Sequence, residues 1–157
     1  DFMGYAALEE LLLPPSITII DGDKFLNGCS SLKRLDLSSL TNLRTLPCGF
    51  MEGCTTLEEL LLPPKLESIS CLEQCTSLKR LDMSMLTKLK SLLSRGEIIG
   101  MRAISHGFMS GCTSLEEVLL PPSITLFARK CFEGCTSLKR LDMSMLANVT
   151  LGNGFMR

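Results

Sequence analysis

A solenoid of short parallel strands is the fold class this sequence predicts, and three observations predict it. One ten-residue string recurs along nearly the whole chain. Every copy spaces its leucines as a short strand with one buried face requires. Proline pairs then close the strands at matching points. The chain has 157 residues, the length of one domain able to bury a sizeable core. The repeat fills it as a single domain over 1–157.

The clearest copies are G-C-S-S-L-K-R-L-D-L at Gly28–Leu37 and G-C-T-T-L-E-E-L-L-L at Gly53–Leu62. The string returns at Gln74–Met83, Gly111–Leu120 and Gly134–Met143, and a degenerate first copy occupies Ala6–Leu13. Counting from the first leucine of each (Leu8, Leu32, Leu57, Leu78, Leu115, Leu138), the spacings are 24, 25, 21, 37 and 23 residues. A six-residue strand cannot bury its leucine face alone, so each copy must stack on the next and form one parallel sheet along a side of the solenoid. Pro14-Pro15, Pro63-Pro64 and Pro121-Pro122 end strands because proline has no N–H to give the ladder. Ile17, Ile20 and Phe25 fill the interior from the returning segment, and Phe50, Phe108 and Phe132 are expected to plug the core before the next turn. The long spacing comes from about 12 extra residues around Leu93–Ile104. This stretch, 93–104, reads as an insertion loop, with Arg95, Glu97 and Arg102 as its candidate recognition residues. The class is a leucine-rich-repeat solenoid with a sheet of about six short strands on one side.

Two kinds of unit alternate. At the second position of the copies stand Glu9, Lys33, Glu58, Lys79, Glu116 and Lys139; at the third, Glu10, Arg34, Glu59, Arg80, Glu117 and Arg140. Neighbouring strands of a sheet lie about 4.8 Å apart, so each charge meets its opposite on either side, which favours stacking in this order. The fifth position interleaves Leu12, Asp36, Leu61, Asp82, Leu119 and Asp142. These third and fifth positions form the candidate partner-binding face. A ladder that satisfies itself is the competing reading of the same residues. One terminal unit carries Glu-Glu and the other Lys-Arg, so a fragment of a longer array or an end-to-end homo-oligomer is expected.

Composition argues against other classes. Net charge is −1, from 16 basic and 17 acidic residues, and the Lys-Arg strands are flanked by Glu-Glu strands, which disfavours nucleic acid. Aromatics are 5%, and no apolar run is long enough to span a bilayer. Eight cysteines raise a metal or disulfide question. Cys29, Cys54, Cys75, Cys112 and Cys135 share one repeat position, so they read as a packed interior column. Cys48, Cys71 and Cys131 stand outside it, free or disulfide-bonded, and no second pair or histidine cluster completes a zinc site. The one histidine, His106, has no partner for a nucleophile relay. Ser38, Ser84 and Ser144 recur with the repeat. The reading is therefore a non-catalytic interaction module, with no catalytic, cofactor-binding or metal-ligating residues and no cofactor.

The run L-x-x-L-x-L-P-x, then an apolar position and F-x-x-C-x-x-L, resembles the BspA-like (Treponema-type) leucine-rich repeats. Phe25–Leu32 and Phe132–Leu138 carry the resemblance best, and it covers the chain apart from Leu93–Ile104. It implies a right-handed α/β-type superhelix with a concave sheet and irregular, 3-10 or short-strand convex connections. It also implies a protein-binding or ligand-binding role, as in a surface adhesin or antigen, with an intracellular adaptor or a purely structural array as alternatives. The compartment stays open: surface or secreted by resemblance, intracellular by the unpaired cysteines. The charged alternate strands and the short connection Pro63–Cys75 depart from the family pattern.

Overall fold

The computed structural model describes residues 5–22, 24–47, 49–70, 72–89, 91–93, 103–104, 107–127, 130–152 and 154–156. Ten short strands lie in it: β1 Arg34–Asp36, β2 Glu59–Leu61, β3 Ser68–Ser70, β4 Arg80–Asp82, β5 Ser91–Leu93, β6 Ala103–Ile104, β7 Glu117–Leu119, β8 Leu126–Phe127, β9 Arg140–Asp142 and β10 Thr150–Leu151. Every pairing between them is parallel. β1, β2, β4, β7 and β9 come from the repeated string and form what we call the ladder side. The others form a five-stranded sheet in the order β10-β8-β6-β5-β3, extended by a bridge between Thr45 and Ser68. This is a leucine-rich-repeat solenoid.

The period-2 alternation of a strand explains the packing. The middle residues of β1, β2, β4 and β7, which are Leu35, Leu60, Leu81 and Val118, turn inward and are buried, and Leu141 of β9 is partly buried, while Arg34, Glu59 and Arg80 are exposed. Ile69 and Phe127 enter the same core from the opposing sheet, and Phe50, Phe108 and Phe132 are buried as expected. The ring of Phe25 stacks on Phe50 with centroids 5.7 Å apart.

The turn before each ladder strand is held in two ways. Gly28, Gly53, Gln74, Gly111 and Gly134 share one repeat position, and all have positive φ, between 60° and 76°. Glycine suits that conformation because it has no Cβ to clash, and Gln74 adopts it without that freedom. A Cβ on Gly134 would come within 3.7 Å of the Gly111 backbone beneath it. The cysteine that follows is the second anchor. Each thiol donates to a carbonyl of the preceding unit: Cys54 to Leu26 O at 3.1 Å, Cys75 to Met51 O at 3.3 Å, Cys112 to Leu72 O at 3.1 Å and Cys135 to Met109 O at 3.2 Å.

Three expectations change. The first copy is not a rung: among the described residues, the segment from Leu8 to Leu13 forms no strand, although Leu8, Leu11 and Leu13 pack against the core. It lacks the cysteine that anchors the other copies, since Tyr5 stands at that repeat position. The ladder side is also not one sheet. β1 pairs with β2, and β4 with β7 and β9, but no pairing joins β2 to β4. That junction follows the shortest repeat spacing. There the Thr76 and Ser77 hydroxyls donate to Thr55 O, at 3.1 and 2.6 Å. Finally, both ends of the insertion are strand: Leu93 closes β5, Ala103–Ile104 is β6, and Leu92 pairs with Ile104. Arg95, Glu97, Arg102, His106, Cys48 and Cys71 lie outside the described residues.

Candidate functional site

The outward face of the ladder strands is built from one motif used three times. Arg34, Asp36 and Ser38 form its first instance. The Arg34 Nε donates to Glu59 Oε2 of the next rung at 2.6 Å, and its Nη2 donates to Asp36 Oδ2 at 3.1 Å. The other oxygen of Asp36 accepts from Ser38 N and Oγ at 3.0 and 2.6 Å. Arg80, Asp82 and Ser84 repeat this against Glu117, with Arg80 Nε to Glu117 Oε2 at 2.7 Å. Arg140, Asp142 and Ser144 repeat it at β9, where Arg140 Nη1 reaches back to Glu117 Oε1 at 2.8 Å. The carboxylate of Glu117 therefore bridges two guanidinium groups.

Strand register produces this arrangement. Arg34 lies opposite Glu59, Arg80 opposite Glu117, and Glu117 opposite Arg140. At the fifth position Asp36 faces Leu61, and Leu119 lies between Asp82 and Asp142. At the second position Lys139 Nζ pairs with Glu116 Oε2 at 2.9 Å. Glu10 and Leu12 are not part of the ladder: Glu10 makes no ion pair among the described residues, and Leu12 is 81% exposed. No ion pair among the described residues joins Glu59 to Arg80, as expected where β2 and β4 are unpaired.

The electrostatics follow the contacts. Hydrogen bonds from Ser38 and Ser144 hold the Asp36 and Asp142 carboxyls below their ordinary value, helped by the adjacent arginines. At Asp82 burial pushes the other way, and the hydrogen bonds from Ser84 and Arg80 outweigh it. The hydrogen bond from Arg80 does most to lower Glu117, with Arg140 adding to it. The arginine side chains are more than half exposed, so each pair adds little stability. What the pairs do is fix where each guanidinium points. Arg34 Nη1 and Arg80 Nη1 have no partner among the described residues and can donate to an incoming carbonyl or carboxylate.

Sequence reasoning missed the role of the three serines, although the recurring D-x-S was the signal for it. It also passed over Met85 and Met145, exposed at 81% and 75% one residue beyond Ser84 and Ser144. These place flexible apolar side chains beside the charged rows. The cysteine column offers different chemistry. Burial pushes the Cys54 and Cys112 thiols up to about 12 and Cys135 to about 11, and it raises Cys29 and Cys75 as well. Such thiols are poor nucleophiles and poor metal ligands at neutral pH. Cys131 is buried. Among the described residues no group of three His, Cys, Asp or Glu side chains is placed to hold a metal, and no helix is long and apolar enough to cross a membrane.

Comparison with known proteins agrees with this geometry. The family model for the BspA type leucine rich repeat region matches residues 1–96 and 97–155, in six copies. No curated protein matches the chain. Among solved structures, a leucine-rich repeat protein from Eubacterium ventriosum is similar at TM-score 0.70 and 17% identity, over 94% of this chain and 36% of that one. A T. pallidum leucine rich repeat protein is similar at TM-score 0.48 and 24% identity, over 87% of this chain and 71% of that one. A Bacteroides ovatus leucine-rich repeat protein gives 0.41 and 16%, over 89% and 46%. The chain thus spans 36% of the length of the Eubacterium protein, and at these identities the likeness concerns fold.

Proposed function

The chain belongs to the BspA-type leucine-rich repeat family, and from that premise we propose that it is a non-catalytic protein-interaction scaffold whose ladder face meets the partner. The observation that carries this reading is the oriented row on that face. Arg34 and Arg80 are clamped in place by a carboxylate of their own strand and one of the next. Rows that are already ordered lose little side-chain entropy when a partner docks. Leu61, Leu119, Met85 and Met145 supply apolar contact between and beside the charges. Those are the parts a protein interface needs, an apolar centre and a polar rim. The insertion residues Arg95, Glu97 and Arg102 are proposed to extend the recognition surface.

The adhesin or surface antigen implied by the repeat type is the form we propose first. A second reading, an intracellular adaptor or substrate-recognition module, is favoured by the free buried thiols, since such thiols are commoner in reducing compartments. The test uses a photo-crosslinking residue at Leu61 or Leu119, with Lys65, outside the ladder strands, as the control position. A discrete adduct with a protein partner from the ladder positions, lost when Glu59→Arg breaks the row, is the expected result. Adducts of equal yield from Lys65 would overturn the assignment of the face.

A further inference from the structure

The sequence holds one Asn-x-Ser/Thr triplet, Asn148-Val149-Thr150, in the segment that carries the chain from β9 to β10. Such a triplet accepts an N-linked glycan where the asparagine is accessible and the middle residue is not proline. Turn geometry accounts for half of it. Asn148 has a φ of 56°, and asparagine is among the few residues with a side chain that take this left-handed conformation readily. That explains Asn148 and says nothing of Thr150. Leu40-Thr41-Asn42-Leu43-Arg44 and Leu86-Thr87-Lys88-Leu89-Lys90 occupy the same place in earlier units. The position of Thr150 is basic in both, so the threonine is a departure from the repeat.

The fold presents this triplet as an acceptor must be presented. Val149 is partly buried and packs against the core, while Asn148 and Thr150 on either side of it are exposed. The same placement holds where units are stacked on both sides. Asn42 and Lys88 are exposed there, and the leucines that follow them, Leu43 and Leu89, are fully buried. Thr150 N donates to Thr125 O at 2.9 Å, which fixes the backbone of the triplet against β8. The Asn148 side chain forms no hydrogen bond with a described residue, so a glycan on it displaces no contact of the fold.

We propose that Asn148 is an N-glycosylation site, with the Thr150 hydroxyl as the group recognised two residues on. The donor is an oligosaccharide carried on a polyprenyl pyrophosphate. Asn148 Nδ2 attacks the anomeric carbon of the first sugar. A carbon–nitrogen bond forms, the bond from that carbon to the pyrophosphate oxygen breaks, and its electron pair leaves with the pyrophosphate. One amide proton passes to a base of the transferase. The transfer belongs to a secretory compartment, so the proposal rests on the secreted or surface form of the scaffold.

The test expresses the 157-residue chain behind a cleavable leader in eukaryotic secretory cells. One glycan is expected, removable by peptide N-glycosidase with deamidation at position 148, as read by peptide mass mapping. Asn148→Gln and Thr150→Ala should each abolish it, and Thr150→Ser should retain it. Arg44→Thr places the same triplet at Asn42 and should add a second glycan. Retained and secreted chains are read alike, so a variant that folds poorly still reports. Photo-crosslinking from Leu61 and Leu119 should be unchanged by Asn148→Gln, which keeps failure of the glycan site distinct from failure of the ladder-face reading. A chain left unmodified at Asn148, whether or not Asn42 is used in the Arg44→Thr variant, overturns the proposal, as does full modification after Thr150→Ala.

Discussion

At the scale of the residue, the repeat is kept by small anchors more than by its leucines. A leucine in the core is replaceable by another apolar side chain of similar volume. The cysteine position asks for more, because it must be small, fill space beside the stacked turns and give a hydrogen to the carbonyl of the previous unit. Burial suppresses the thiolate there, pushing Cys54 and Cys112 to about 12. Iodoacetamide at pH 8 should therefore leave Cys54, Cys75 and Cys112 unmodified in the folded chain and label them after denaturation, as read by peptide mass mapping. Labelling of all three at native rates would show that the column is not packed as described.

At the scale of the element, the rung is a three-residue strand stiffened by side chains. Three residues make few backbone hydrogen bonds, so the Arg-x-Asp-x-Ser clamp and the Arg–Glu link do part of what a longer ladder does. The clamp has a pH signature. Asp36, Asp82, Asp142 and Glu117 have carboxyls lowered below 3.8 and 4.5 in the fold. A depressed carboxyl contributes stability above its unfolded value, and that contribution is lost as pH falls through the folded value. The urea midpoint should therefore be flat from pH 7 to about 5 and should fall below about 4. The triple variant Ser38→Ala/Ser84→Ala/Ser144→Ala should show a shallower fall, since serine hydrogen bonds help to lower all three aspartates. Identical pH profiles for parent and variant would remove the clamp from the explanation.

Much at this scale was legible in the sequence, and the reasons for the rest are specific. The period of L-x-x-L-x-L placed β1, β2, β4, β7 and β9, because strand alternation and repetition are properties of the local string. The β2–β4 gap was not legible. It coincides with the shortened return segment, Pro63–Cys75, and no single residue encodes it. The first copy misled because its leucines are intact while Tyr5 replaces the anchoring cysteine. β5 and β6 at the edges of the insertion were also hidden. Ser91–Leu93 and Ala103–Ile104 are too short to carry a periodic signal, and they become strands only because the opposing sheet offers them an edge. At the candidate site, the alternation of charges foretold the Arg–Glu links, whereas the serine clamps depended on side-chain geometry within one strand.

At the scale of the whole molecule, each unit touches its neighbours, so stability is a sum over units and junctions. Position along the stack then sets what a given substitution costs. Leu78 and Leu138 occupy the same repeat position, but Leu78 is fully buried between units and Leu138 is partly exposed at the end. Leu78→Ala should cost roughly 2–5 kcal/mol in urea unfolding, and Leu138→Ala should cost clearly less. Equal costs would mean that the last described unit is as well covered as an interior one.

The claim beneath all of this is that successive copies lie as parallel rungs in the register Arg80 to Glu117. Cysteine pairs introduced on the ladder face, in a chain whose Cys48 and Cys71 are serine, read that register, because the buried native thiols do not compete. Strands about 4.8 Å apart place in-register Cα atoms within disulfide reach. Arg80→Cys with Glu117→Cys should crosslink rapidly and completely under mild oxidation, whereas Arg80→Cys with Leu119→Cys should crosslink slowly or not at all. The reverse order, or equal rates for the two pairs, would mean that the rungs are not stacked in this register.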